Sequence, residues 1–365
     1  MISKTGPPIP SEVLGVPRVP PARLTGALNA LRDWIGWVHS AVAPPPVQIL
    51  EALFGVLDHR VLVLLCRAGI PDALRSPMSL DDLARQVGAN AERLEQIVRF
   101  AAARGWLRLD RRGRVRPTRV TEFLRTDHPG GWQAWVQFAG GDEIVDAVKC
   151  LDLRAGDTFA AANGESFFPW MQHHPQRWAA FDEAMSAGAR LHALTIRRAI
   201  DWASVRTVCD VGGGAGELLI GLLELEPTLQ GIVFDLPEVI TRVHSHPRLT
   251  ALGGDAFVSI PAGCDVYLLV NVIHDWNDHD ASKILANIAI AATKDSRILV
   301  VENDHPRKPR RDIATSSDVF MAALTNGGKE RNQRAIRSLA ENSGLRLTSS
   351  NPLASGDVVH HLTKK

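Results

Sequence analysis

At 365 residues the chain is too long for one compact core and suits two domains. Its 45% apolar and 22% charged composition is that of a soluble globular protein, and a net charge of +1 gives no whole-molecule case for binding nucleic acid or membrane. Four scattered cysteines (Cys66, Cys150, Cys209, Cys264) have no CxxC and no paired spacing, which argues against a disulfide framework or zinc site and for a reducing, cytoplasmic compartment, with no metal expected.

Residues 1–21 are proline-dense and lack a continuous apolar run, so they read as a flexible arm and not a signal peptide. No apolar stretch reaches the ~20 residues of a membrane span. Residues 22–200 read mostly as helices. In 22–42, Leu24, Leu28, Leu31, Trp34, Ile35 and Val38 recur at helical spacing. After Pro44-Pro45-Pro46 comes a helix over about 47–69, apolar on nearly every face, which must be buried in the protein or in a partner subunit. Ser79, with Asp82 three residues on, caps the next helix. A second helix (AERLEQIVRFAAARGW) and two short strands joined at Arg112-Gly113 complete a winged-helix pattern. Nine arginines against two acids between Arg99 and Arg125 raise the rival reading of a DNA-binding regulator, although the second helix itself carries mixed charge.

From about 201 to 365 the texture changes. Apolar β-branched runs (RTVCDV, GIVFDL, CDVYLLVNVI, SRILVVEN) alternate with helical stretches, which predicts a doubly wound, mostly parallel sheet covered on both faces. The first strand-to-helix turn is Asp210-Val211-Gly212-Gly213-Gly214-Ala215-Gly216-Glu217, whose glycines let backbone approach a ligand. The dinucleotide fingerprint fails, because Gly214 is followed three residues on by Glu217. A pyrophosphate would also meet Asp210 and Glu217 with no nearby cation. S-adenosylmethionine, carrying a sulfonium and an ammonium, suits that acidic loop. Asp235, with Leu236 after it, ends the second strand, where its carboxylate can accept from both ribose hydroxyls. Asp255, Ala256 and Phe257 offer a carboxylate and an aromatic face for adenine.

His274 emerges from the carboxyl end of a core strand on the cofactor face, followed by Asp275 and Trp276. Glu302 and Glu330 occupy similar positions. A neutral imidazole can take a hydroxyl proton, and flanking carboxylates can orient it and stabilise the imidazolium. The strings DVGGGAG, FDLPEV, GDAF, HDWND and NGGKER, in that order, resemble the small-molecule O-methyltransferases of the plant caffeate/flavonoid type and their bacterial natural-product relatives, over roughly residues 45–362.

The resemblance implies an α/β architecture: a C-terminal Rossmann-like catalytic domain and a mainly helical, winged-helix-like N-terminal domain that dimerises, roofs the acceptor pocket and binds no DNA. It makes His274 the base between Glu302 and Glu330, and puts S-adenosylmethionine, with S-adenosylhomocysteine as product, on Asp210, Gly212, Gly214, Asp235, Leu236, Asp255, Ala256 and Phe257. It makes residues 166–200 a connecting helix whose Met185 clamps the acceptor. Trp135, Phe138, Phe168, Met185, Asp275 and Met321 are the candidate acceptor-pocket residues. Val270 and Ala256 stand where plant members commonly have Lys and Met, which alters the adenine contacts. Relatives of this fold also run C-methylation, hydroxylation or pericyclic reactions, and retention of His274 favours O-methyl transfer to a small hydroxylated acceptor.

Overall fold

The computed structural model describes Leu14 and residues 20–154, 156–305, 309 and 312–365. Apart from Leu14, Pro20 and Pro21, the expected arm lies outside them. The chain forms two compact units. The smaller takes in Ser40–Val145 and His174–Gly188, and the larger takes in the described residues of Met1–His39, Asp146–His173 and Ala189–Lys365.

In the smaller unit, the helices Leu80–Val87 and Ala91–Ala103 precede the antiparallel strands β1 (Leu107–Leu109) and β2 (Val115–Pro117). Ser79 Oγ accepts from the Asp82 N–H at 3.1 Å and so caps the first helix. Leu83, Leu94, Val98, Leu107 and Val115 form one apolar cluster with Leu65 and Leu74. The helix Pro45–Arg67 supplies this unit with buried Val61, Val63, Leu65 and Cys66, whereas Ile49, Leu53, Phe54 and Val56 in its first half are exposed. The helix Ala22–Val42 has no buried residue at all. The connecting helix expected over 166–200 is instead three helices, Phe167–His173, Pro175–Ser186 and Ala189–Ile196. Pro175 cannot donate to the preceding turn, and Gly188 sits at φ +82°.

The larger unit is built on a seven-stranded sheet: β3 (Thr207–Val211), β4 (Gln230–Asp235), β5 (Leu249–Gly253), β6 (Val266–Val270), β7 (Arg297–Glu302), β8 (Leu345–Pro352) and β9 (Val358–Lys364). Their order is β5-β4-β3-β6-β7-β9-β8. The first five are parallel, and β9 runs antiparallel to both β7 and β8. Alternation along each strand sorts the core into two layers. Val208, Leu268 and Leu299 pack with the helix Glu217–Leu225, while Cys209, Tyr267 and Ile298 pack with the helix Asp278–Ala291. Leu14 is buried in the first layer, its carbonyl accepting from Arg190 at 3.4 Å. Chain order reverses between β3 and β6, which opens the ligand crevice of such sheets at their carboxyl ends.

Candidate active site

At this crevice the glycine loop leaves β3 with Gly212 at φ +73° and Gly214 at φ +54°. A Cβ on Gly212 would stand 2.8 Å from Val272, in the segment that leads to His274, so only glycine lets the two loops meet. Asp235 closes the loop from β4: Oδ2 accepts from the Gly214 N–H at 2.9 Å and Oδ1 from the Leu236 N–H at 2.7 Å. Each oxygen keeps a further lone pair. Burial raises the Asp235 carboxyl against these two bonds. Asp210, 3% exposed, is pushed up to about 7 by burial and then by the Asp235 charge. Two neighbouring buried carboxylates, with Arg242 acting on Asp235, give the loop an acidic lining that suits a cationic ligand. Asp255 is exposed, its Oδ1 accepting from the Phe257 N–H at 2.8 Å, and the Ala256 carbonyl accepts from Asn287 at 2.8 Å.

After β6 the backbone turns at Asn271, at φ +56°, into a single 3₁₀ turn, Ile273–Asp275. His274 Nδ1 lies 3.1 Å from Glu302 Oε2 and 3.3 Å from Glu330 Oε1, and Nε2 lies 3.6 Å from Asp275 Oδ1. Both glutamates are buried. Glu302, the last residue of β7, also accepts at Oε1 from the N–H groups of Val272 (3.1 Å) and Ile273 (2.7 Å). Glu330 Oε1 accepts from Ser317 Oγ at 2.6 Å and Asn303 Nδ2 at 3.0 Å. Burial drives the His274 pKa down, but the charges of Glu302 and Asp275 and the close approach of both glutamates to Nδ1 outweigh it, so the imidazole titrates well above the usual histidine range. Burial raises Asp275 to about 7, opposed by His274 and reinforced by the two glutamates. Glu330 sits below the usual range, because His274, Ser317 and Asn303 together overcome burial.

An aromatic wall stands beside this group. Phe168 stacks on Trp276 at 5.4 Å and 21°, and Phe257 meets Trp276 edge-on at 4.7 Å. Met321 is buried, its carbonyl held by the Thr325 hydroxyl. Trp135, Phe138 and Met185 belong to the smaller unit. There Phe138 is 1% exposed, edge-on to Trp135 and Phe181, and Met185 is 40% exposed. Trp135 lines an apolar cleft of about 580 Å³ with Leu62, Val63, Phe123, Trp132 and Val136. Sequence reasoning missed Ser317, Asn303 and Arg331 as members of the His274 network. Ser317 lies on a helix with no motif, Asn303 shows only as the end of SRILVVEN, and Arg331 only as the end of NGGKER.

The chain matches the O-methyltransferase domain family over residues 142–346 and the O-methyltransferase dimerisation domain family over residues 50–127. It is 31% identical over 320 residues to the O-methyltransferase SfmM3 of Streptomyces lavendulae, covering 83% of this chain and 96% of that protein. It is 30% identical to the mitomycin biosynthesis 6-O-methyltransferase of the same organism, covering 87% and 94%. The solved structure of LaPhzM superposes with a TM-score of 0.80 at 27% identity, covering 88% of this chain and 100% of that one. CalO1, a methyltransferase of calicheamicin biosynthesis solved with S-adenosylhomocysteine bound, gives 0.78 at 26% identity, covering 88% and 98%. By sequence and by fold, the chain belongs to the S-adenosylmethionine-dependent O-methyltransferase family.

Proposed function

We propose that this protein moves a methyl group from S-adenosylmethionine to a hydroxyl of a small, largely apolar, aromatic or polyketide-like metabolite, with His274 as the general base. The observation that carries the reading is the imidazole held between two buried glutamates beside an acidic glycine loop. The loop fits the cofactor: Gly214 faces open space, Asp235 keeps free lone pairs, and Asp210 is a carboxyl raised by burial and by the Asp235 charge. Asp210, Gly212, Gly214, Asp235 and Leu236 would hold it, with Asp255, Ala256 and Phe257 at the adenine end. When bound, S-adenosylmethionine supplies an electrophilic methyl on a sulfonium. Relatives that methylate 3-amino-4-hydroxybenzoate and a dihydroxy-naphthoate support an aromatic acceptor, as does the wall of Phe168 and Trp276. Within the larger unit, Phe168, Asp275 and Met321 would line its pocket.

The glutamates hold the Nδ1 side of the ring, which leaves Nε2 to take the acceptor proton. A phenol near pKa ~10 and an ordinary histidine near ~6.5 differ by about 5 kcal/mol against prior deprotonation. The raised basicity of His274 narrows that gap. Proton removal therefore accompanies attack on the methyl, and positioning supplies much of the remaining rate. The protein acts as a cytoplasmic homodimer, with neither nucleic acid nor membrane as partner, and no metal takes part. No helix of the described residues is long and apolar enough to cross a membrane.

Isothermal titration tests the cofactor. S-adenosylhomocysteine should bind and NADH should not, and Asp235→Ala should weaken S-adenosylhomocysteine binding by roughly 1.5–3 kcal/mol through lost charge-assisted hydrogen bonds. Binding of NADH alone would overturn the assignment.

A further inference from the structure

The turn that carries His274 has few bonds of its own, yet a single buried cation spans it. Arg331 follows Glu330 directly and is 3% exposed. Its Nη1 donates to the Ile273 carbonyl at 2.6 Å and its Nη2 to the Trp276 carbonyl at 2.7 Å, the groups on either side of His274 and Asp275. Nε and Nη2 also donate to Asp278 Oδ1 at 3.0 and 2.9 Å, while Lys329 Nζ holds Asp278 Oδ2 at 2.9 Å. The Lys329 N–H donates to the His274 carbonyl at 2.8 Å. Gly328 is packed so closely here that a Cβ would stand 2.5 Å from that same carbonyl.

This arrangement exceeds what burial of an arginine alone requires. A guanidinium is a rigid planar fork that can satisfy several oxygens in fixed relative positions, which an ammonium cannot do. The oxygens it satisfies are the two carbonyls that frame the His274 turn and the carboxylate that opens the next helix. Trp276, whose carbonyl it holds, also carries the aromatic wall. None of the hydrogen bonds described for Arg331 reaches the glycine loop, Asp235 or Asp255.

We propose that Arg331 is a positioning residue for turnover: its guanidinium ties the carbonyls of Ile273 and Trp276 into one rigid span, keeping the 273–276 turn in catalytic register. The inference rests on the reading of this turn as the carrier of the base. Arg331→Ala should lower kcat by about 10- to 100-fold, the scale of a misplaced reacting group. Its affinity for S-adenosylhomocysteine should stay within about twofold of the parent, since its bonds avoid the cofactor loop. Arg331→Lys should restore little of the rate. Guanidinium ion, added to Arg331→Ala below denaturing concentration, should restore part of it. The rising limb of the kcat–pH profile should shift toward the ordinary histidine range as the ring loosens from Glu302 and Glu330.

A folded Arg331→Ala with parental kcat overturns the proposal, as does a parallel loss of kcat and S-adenosylhomocysteine affinity. If Arg331→Ala does not fold, Asp278→Ala carries the test, because it removes one anchor of the buried guanidinium. A several-fold loss of kcat at unchanged S-adenosylhomocysteine affinity supports the proposal, and parental kcat overturns it. His274→Ala separates the two readings. If it keeps its rate while Arg331→Ala loses it, the turn positions another group, and the base assignment falls while the span stands.

Discussion

His274→Ala is expected to cut turnover by ~100-fold or more while leaving S-adenosylhomocysteine affinity nearly unchanged, since general base catalysis contributes roughly 10²–10⁴. The residue touches Glu302, Glu330 and Asp275 but makes none of the hydrogen bonds that shape the glycine loop. The pH profile gives the sign. Because the folded-state pKa of His274 is raised by Glu302, Asp275 and Glu330 against burial, the ring gives up its proton, and the base becomes available, at higher pH than an ordinary histidine. Turnover should rise as pH passes above the ordinary histidine range and flatten once the imidazole is neutral. Glu302→Gln, which weakens the charge holding that proton, should move the limb toward acid and cost less rate than His274→Ala. A His274→Ala enzyme working at the parental rate would leave proximity alone to act on an already acidic hydroxyl. Lost S-adenosylhomocysteine binding would mark the residue as structural.

Charge placed on the first helix should convert the protein from dimer to monomer. Leu24, Leu28, Leu31 and Ile35 lie at helical spacing in Ala22–Val42 and are each between 51% and 54% exposed, with nothing on that helix buried. Covering the exposed half of one such side chain is worth about 1 kcal/mol. Eight of them across two protomers give on the order of 8 kcal/mol before the cost of association. In the smaller unit, the helix Pro45–Arg67 separately exposes Ile49, Leu53 and Phe54. Light scattering should report twice the chain mass at micromolar concentration, and Leu28→Asp with Leu31→Asp should halve it. A parent that is already a monomer would contradict the assignment.

Strands β3, β4, β6 and β7 were legible in the sequence because each is a short apolar run ending at a turn or a carboxylate, whereas β5 (LTALG) is largely exposed and offers no such run. The same feature made Asp235, His274 and Glu302 visible: chemistry at strand ends is announced by a polar residue after a run of β-branched ones. The hairpin of β8 and β9 was not read, since LRLTSSNP is mostly polar and exposed, with no apolar run to mark it. His360, fully buried on β9 with its Nδ1 at 2.8 Å from Ser350 Oγ, shows why composition misleads there. The break of the expected 166–200 helix was written in His174-Pro175 and Gly188, whose backbone limits override the apolar periodicity. The reach of Arg331 across 58 positions to Ile273 is a tertiary fact that no local spacing encodes.

Methyl transfer itself is most directly tested with S-adenosylmethionine labelled in the methyl group and a panel of hydroxylated aromatic acceptors, read by mass spectrometry. The product should carry one labelled methyl on oxygen, with S-adenosylhomocysteine formed in equal amount. A product that gains an oxygen atom, a methyl on carbon, or a rearranged skeleton with S-adenosylmethionine unconsumed would contradict the assignment.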